Sequence, residues 1–590
     1  MCGLTGYIGK KQAAPIVLEA LSRLEYRGYD SAGIATIDND NICLGKATGK
    51  LKDAIQPCDL LLLRGKVGIG HVRWATHGGV TRENAHPHCD SRDQIAVVHN
   101  GIIDNYQKLK AFLSMKYPFT SETDTEVIPH LIRHFMDSGL SFEDAFIATT
   151  KEIQGSYAIL AINALEPDKI MAARKESPLI IGVGDNCNYI GSDILSFLPH
   201  TKRYISIEDG EIVKLTRDEI TVYNHDHQEI RKKQELADWE WKEGSKGKYD
   251  YFMLKEIEEQ PYALKQSLLQ DENLLMEMAK EISLAKHLIF VACGTSRHAA
   301  LIGRYAFSKM GRTFSEVVMG SEFGYFSDSV TKDTIVIAIS QSGETADVMD
   351  GIRQAKAKGA KVFSIVNVVG SSLSRASDKV LNMNCGPEIG VAATKSFTAQ
   401  LSLLYQLAYA MENRLLEGQE KLRIIADEIE RDLDYYATCI PALAAKMRYK
   451  KDFYFIARGI NFAVASEGAL KLKEIAYVHA EGMSSGELKH GTLALIESGT
   501  PVIAVCPTDY TYEDSLANIM EVKARGAYVV GLSDAQSMIF DDCIRIPKTE
   551  EVLYPLVTTI PLQILAYYSA LERGLDPDKP RNLAKSVTVK

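Results

Sequence analysis

The chain has 590 residues, enough for about three to five domains of ordinary size. Hydrophobic residues make up 46% and charged residues 24%, which supports several packed cores and excludes a disordered chain. The net charge of −10 lacks the basic footprint of a nucleic-acid binder, and no uninterrupted apolar run approaches the ~18 residues of a membrane helix. Ten scattered cysteines without a Cys-x-x-Cys pair argue against a disulfide framework and for a reducing cytoplasm. The first residues have neither the basic nor the apolar region of a signal peptide.

In chain order, Cys2–Gly9 reads as a strand that buries the terminus. Further short β-type runs fall at 67–72, 94–99, 157–162 and 189–193, and helical patterns at about 13–25, 104–114, 124–138 and 143–152. Residues 2–230 are therefore expected to form a mixed domain with much antiparallel sheet. The charge run 231–235 and the linker-like 244–248 place a boundary at 231–250, although the charge run could equally be the solvated end of a helix. His225 and His227 lie in a polar stretch and are expected to be solvated.

From about residue 285 short apolar strands alternate with helices, the signature of a parallel sheet. This part repeats itself. Gly294 and Gly459 stand 165 residues apart in similar strand ends, Thr334 and Thr500 begin similar strands 166 apart, and Gly359 and Gly526 are 167 apart. Two homologous α/β domains are expected, at 280–415 and 445–580, joined by helical residues of about 400–445 and followed by a tail, 581–590.

The second residue is a cysteine. If Met1 is removed, Cys2 carries a thiol and a free α-amine with an ordinary pKa of about 7.7–8.0, close enough to neutrality to serve as the thiol's base. Around it stand Tyr26-Arg27-Gly28-Tyr29-Asp30-Ser31-Ala32-Gly33, Gly70-His71-Val72-Arg73-Trp74-Ala75-Thr76-His77-Gly78, Asn84-Ala85-His86-Pro87-His88, His99-Asn100-Gly101 and Ser121-Glu122-Thr123-Asp124-Thr125-Glu126. This ordered set resembles the class II glutamine amidotransferases with an N-terminal nucleophile, and implies an αββα glutaminase domain.

The resemblance implies Cys2 as nucleophile and the Asn100 side chain with the Gly101 N–H as oxyanion donors, one of which is typically worth about 2.7–4 kcal/mol. It implies Arg73 as the grip on the glutamine α-carboxylate and Asp124 as the partner of its α-ammonium. Trp74 resembles the residue that gates the ammonia path, and Thr76, His77 and His86 complete the glutamine set. The cluster His86, His88 and Cys89 is too crowded for ordinary zinc spacing, so no metal is expected.

In the second half, Ser340-Gln341-Ser342-Gly343-Glu344-Thr345 joins a strand to a helix pattern over 346–356. Hydroxyls and free N–H groups at a helix N-terminus suit an anion, although Ser or Thr also begins many helices as an ordinary cap. A second loop, Cys293-Gly294-Thr295-Ser296, also sits at a strand end. The pair resembles the sugar isomerase (SIS) domain family. That implies a phosphosugar on Ser340, Gln341, Ser342 and Thr345 of the first repeat, near Thr295, Ser296 and Val391. The second repeat has Arg458-Gly459-Ile460-Asn461 and Cys506-Pro507-Thr508-Asp509 instead.

Glu467, Lys471 and Glu474 share one helix face, which by itself reads as a surface ion-pair stripe. With the segment Glu481–Gly491 and the tail, the whole chain is similar to the isomerising glutamine–fructose-6-phosphate aminotransferases, in length most like bacterial members. The resemblance implies transfer of ammonia, along a shielded path, from L-glutamine to D-fructose 6-phosphate to give D-glucosamine 6-phosphate, the first step toward UDP-N-acetylglucosamine. It implies His490 in ring opening, acting from the neighbouring subunit of a homodimer, and Lys585 in a Schiff base with the C2 ketone, with Ala584 beside it. It implies Glu474 as the base that moves a proton from C1 to C2, assisted by Lys471, and no metal or organic cofactor. The alternatives are another class II amidotransferase, disfavoured by the paired repeats, and a SIS-domain sugar-phosphate sensor, disfavoured by the joint presence of Cys2, Glu474 and Lys585.

Overall fold

A computed structural model describes residues 2–55, 58–75, 77–237 and 246–588. Two compact units emerge, one spanning Met1–Glu243 together with Ala584–Lys590, the other Gly244–Leu583. Part of the expected linker, 238–245, lies outside the described residues, as does Met1.

Two antiparallel sheets form the amino-terminal unit. In the first, the strand Gly3–Ile8 lies between Asn188–Gly191 and Val67–Arg73. The hairpin Ser31–Asp38/Asn41–Thr48 extends it, and Asn39 and Asp40 both take positive φ, as a two-residue type I′ turn requires. In the second sheet Ile95–Ile103 pairs with Gly155–Asn163, which pairs with Lys169–Lys175. Alternating residues (Leu4, Ile8 and Ile69 from one sheet, Ala96, Val98 and Leu160 from the other) fill the space between them. The helix Ala13–Leu24 covers one outer face and the helices Tyr106–Leu113, Val127–Asp137 and Phe142–Glu152 the other, giving four layers, αββα.

Two local expectations change. The helix expected from 124 begins at Val127, because the Glu126 carboxylate accepts hydrogen bonds from Thr120 N (2.8 Å), Ser121 N (2.7 Å) and Ser121 Oγ (2.7 Å) and holds the preceding residues in a polar turn. His225 is exposed as expected, but His227 is half-buried and left-handed (φ 60°).

The second unit holds two five-stranded parallel sheets of identical order. The first runs Glu316–Met319, His287–Ala292, Thr334–Ser340, Lys361–Val366, Lys379–Asn382; the second runs His479–Ser484, Asp452–Ala457, Pro501–Val505, Tyr528–Ser533, Asp542–Arg545. The central strands Thr334–Ser340 and Pro501–Val505 are buried along their length, which explains apolar runs without alternation. One core spans both repeats, built largely from the helices Gly294–Lys309, Lys395–Met411, Leu415–Lys446, Asn461–Ala476 and Tyr554–Glu572. Among the described residues, one helix, Glu551–Glu572, is long and apolar enough to cross a membrane, but 94% of its apolar window is buried inside the protein. It is a core helix.

In both sheets the chain order reverses beside the first strand. Ligands of open α/β sheets sit beyond the carboxyl ends of the strands at such a point. For the first repeat that selects the loops after Ala292 and Ser340.

Candidate functional site

The strand Gly3–Ile8 delivers Cys2 to the edge of the space between the two sheets. Trp74 N–H donates to Cys2 Sγ (3.3 Å), and the thiol faces the Trp74 carbonyl (3.4 Å). Burial pushes the thiol pKa up, so the resting group is a protonated thiol. Asn100 has the same strand parity as Ala96 and Val98 and therefore points at the sheet that carries Cys2. Its Nδ2 donates to the Cys2 carbonyl (3.0 Å). Gly101 follows at φ 130°, and a Cβ there would lie 2.0 Å from the Ser156 carbonyl oxygen. Only glycine fits.

Arg73 is buried at the end of Val67–Arg73, and Asp124 is buried where its Oδ2 accepts from Ile103 N (2.8 Å). Arg73 is not held open for a carboxylate. Its guanidinium donates to the carbonyls of Gly79 (3.1 Å), Gly78 (3.4 Å) and His77. A glutamine α-carboxylate must exchange with this loop. His77 stands edge-on to Tyr106 (5.6 Å), and Trp74 is half-buried. Thr76 lies outside the described residues.

His86 belongs to a buried histidine cluster with His71, His88 and His99; of these the sequence singles out only His88, and only as a zinc candidate. His86 Nε2 and His99 Nδ1 each lie 2.9 Å from Thr125 Oγ1, His88 Nε2 lies 3.1 Å from Thr123 Oγ1, and His71 stacks on His86 at 4.1 Å. Burial drives all four pKa values down, that of His71 to about 3, so the cluster is neutral at neutral pH.

In the first repeat the loop after Ser340 turns at Gly343 (φ 65°), where a Cβ would lie 2.1 Å from Ser371 Oγ. Gly343 N donates to Ser340 Oγ (3.0 Å), Ser340 Oγ meets Thr345 Oγ1 (2.9 Å) and Glu344 N donates to Ser342 Oγ (3.2 Å). Thr345 occupies the N-cap position of Ala346–Ala357 without a side-chain cap bond. The ordinary-cap explanation of Thr345 therefore fails, and its hydroxyl stays in the loop. Gln341 flanks these hydroxyls, half-exposed.

The surface-stripe interpretation of Glu467 and Lys471 is overturned: they are 1% and 0% exposed. The helix Asn461–Ala476 packs them against Gly294–Lys309 of the other repeat. Lys471 Nζ lies 2.6 Å from Glu474 Oε2 and 3.4 Å from Glu467 Oε1, and donates to Thr295 Oγ1 (3.0 Å). Burial alone would lower its pKa. Glu467 and Glu474 outweigh that and raise it to about 12, fixing a buried ammonium.

Glu467 accepts from Thr295 Oγ1 (3.0 Å) and meets His298 Nδ1 (2.7 Å). Thr295 thus bridges the two repeats, and Ser296 Oγ accepts from Gln400 Nε2 (3.0 Å). Glu388 organises the loop that carries Val391 by accepting from Thr394 N (2.9 Å), Ser396 N (3.0 Å) and Ser396 Oγ (2.7 Å). Sequence patterns missed Glu388, Gln400 and His298, and the only signal was a charged or polar residue next to buried apolar ones. In the second repeat Asp509 stands where the first has Gly343, counting back from the helix start. Its carboxylate accepts from Thr511 N (2.8 Å), Thr511 Oγ1 (2.7 Å) and Asn461 Nδ2 (2.7 Å).

His490 is exposed at the end of the turn Ser485–His490. Ala584 and Lys585 are half-buried and fall in the amino-terminal unit, whereas Glu474, Lys471 and the Ser340–Thr345 loop fall in the second.

Comparison with known proteins gives the family. A glutamine amidotransferase domain family model matches residues 71–199, and a SIS domain model matches twice, at 281–410 and 446–573. A glutamine–fructose-6-phosphate aminotransferase (isomerizing) of Methanothermobacter thermautotrophicus is 46% identical, and one of Clostridium tetani 44%, each alignment covering 100% of both chains. The solved C-terminal domain of glucosamine-fructose-6-phosphate aminotransferase from Francisella tularensis is 34% identical, with a TM-score of 0.53 over 57% of this chain and 99% of that one. The chain belongs to the glutamine–fructose-6-phosphate aminotransferase (isomerizing) family.

Proposed function

We propose that this chain releases ammonia from L-glutamine at Cys2 and adds it to D-fructose 6-phosphate with isomerisation to D-glucosamine 6-phosphate. The observation that carries this is the hydrogen bond from the Asn100 amide to the Cys2 carbonyl, which sets that amide beside the residue bearing the thiol, in a chain that also carries two SIS repeats. Cys2 sulfur adds to the side-chain amide carbon while its α-amine, free once Met1 is removed, takes the thiol proton. Asn100 Nδ2 and Gly101 N–H stabilise the oxyanion. Ammonia leaves, and water cleaves the thioester to glutamate. Arg73 and Asp124 hold the α-carboxylate and α-ammonium, with Trp74, His77 and His86 around them, and the family resemblance adds Thr76 to this set.

The sugar phosphate sits on Ser340, Gln341, Ser342 and Thr345, near Thr295, Ser296 and Val391, and the family resemblance adds Ala584 to this set. Lys585 condenses with the C2 ketone, ammonia displaces it, and Glu474 takes a proton from C1 and returns it at C2. Lys471 fixes Glu474 and polarises the sugar oxygens. His490 opens the sugar ring from the partner subunit of a homodimer. Every one of the ten cysteines is a free thiol, which supports a reducing cytoplasm.

The test is incubation with glutamine and fructose 6-phosphate, in which glutamate and glucosamine 6-phosphate form in equal amounts. Cys2→Ala abolishes the glutamine-dependent product but leaves synthesis driven by added ammonia. Glutamine still serving Cys2→Ala at the normal rate would overturn the nucleophile.

A further inference from the structure

We infer that His71 is the positioning residue for the oxyanion donor Asn100. The inference rests on the assignment of Asn100 made above. A primary amide can present either its NH2 or its carbonyl toward the nucleophile, and only the NH2 stabilises an oxyanion. Something must hold the rotamer.

His71 lies on the inner face of Val67–Arg73, fully buried, two residues before Arg73. Its Nε2 is 3.1 Å from the His99 carbonyl oxygen and 3.1 Å from Asn100 Oδ1. Both are acceptors, so Nε2 carries the hydrogen. The opposite rotamer would bring the Asn100 NH2 against that N–H and aim its carbonyl at Cys2. The observed one sends Nδ2 to the Cys2 carbonyl (3.0 Å).

The imidazole is itself locked. Its ring face lies on His86 (4.1 Å, 25° between planes), and Nδ1 has no hydrogen-bond partner among the described residues. The alternative tautomer, with the hydrogen on Nδ1, would leave that N–H buried without an acceptor and confront two carbonyl oxygens with a bare nitrogen. His86 is in turn held by Thr125, which also binds His99. The cluster thus acts as a buried brace that ends on the amide of Asn100.

The test compares His71→Phe, which keeps a ring but no donor, with His71→Gln, which keeps a donor but no ring, in the full chain. His71→Phe lowers kcat for glutamine hydrolysis at least about tenfold, short of the 10²–10³ expected for deleting a donor outright, with KM for glutamine nearly unchanged. His71→Gln retains more kcat than His71→Phe, and both leave the rate of Cys2 alkylation by iodoacetamide as in wild type, because the thiol itself is untouched. In an Asn100→Ala background, His71→Phe costs little further, since both changes remove the same donor. Near wild-type kcat in His71→Phe, a reversed order of the two variants, or losses that multiply in the double variant would overturn the inference. If Asn100→Ala alone hydrolyses glutamine normally, the Asn100 assignment is wrong and this inference falls with it. Should His71→Phe fold poorly by circular dichroism, the cycle with His71→Gln decides: its loss disappears in the Asn100→Ala background if His71 acts through Asn100 and persists if it does not.

Discussion

Gly101 joins backbone geometry to chemistry at a single residue. With φ at 130° and the Ser156 carbonyl against its α-carbon, Gly101→Ala must move the strand that carries Asn100. The strained φ alone costs about 1–3 kcal/mol, and the steric contact adds to it. Gly101→Ala should therefore unfold at lower urea and hydrolyse glutamine poorly, and unchanged values of both would contradict this account. The motif His99-Asn100-Gly101 made Gly101 legible in the sequence. His71 and His99 stand in the same motifs, yet their roles were hidden. Strand parity decides which histidine meets the Asn100 side chain and which meets Thr125, and parity depends on which sheet face is buried. Arg73 shows a related limit: its charge was legible, its engagement by the carbonyls of 77–79 was not.

The helices Gly294–Lys309 and Asn461–Ala476 are counterparts in the two repeats, and they carry buried charge unequally. Glu467, Lys471 and Glu474 at i, i+4 and i+7 look the same in sequence whether the face meets water or another helix. Only the packing against Gly294–Lys309 turned the stripe into a buried network. Breaking such a pair leaves an uncompensated charge, which typically costs about 3–5 kcal/mol. The loops after Ser340 and Val505 are counterparts too. In the second, the Asp509 carboxylate already takes the N–H and hydroxyl of Thr511 and the amide of Asn461, donors of the kind a phosphate would need. Equilibrium dialysis should accordingly find one fructose 6-phosphate per chain. Two would show that Asp509 does not close the second loop. The repeat itself was readable because loop glycines and strand starts kept a nearly constant spacing over 165–167 residues.

For the molecule as a whole, a partner's His490 makes a prediction that no single-chain site would share. Mixed and reassembled Glu474→Gln and His490→Ala chains form hybrids in which one site has lost both groups and the other retains both. Statistical mixing then restores about a quarter of wild-type activity, whereas a His490 serving its own chain restores none. The four-layer sandwich and the two parallel-sheet repeats were legible in the sequence, because motif order and strand–helix alternation are local, whereas the order of strands within each sheet was not. The placement of the tail was not legible either: Ala584 onward falls with the amino-terminal unit, a choice made by contacts across more than 300 positions.

Asp578 accepts from the N–H groups of Phe252 (2.8 Å) and Met253 (2.8 Å), which open the second unit's first helix, and the core helix Tyr554–Glu572 packs on the same segment. The unit is thus clasped where its two ends meet. A ribosome supplies the first end more than 300 residues before the second. The nascent chain must carry the helices Leu415–Lys446 and Asn461–Ala476 without the core helix they pack on until Tyr554–Glu572 emerges. Chains that stop short of it would be candidates for chaperone capture and degradation rather than partial enzymes.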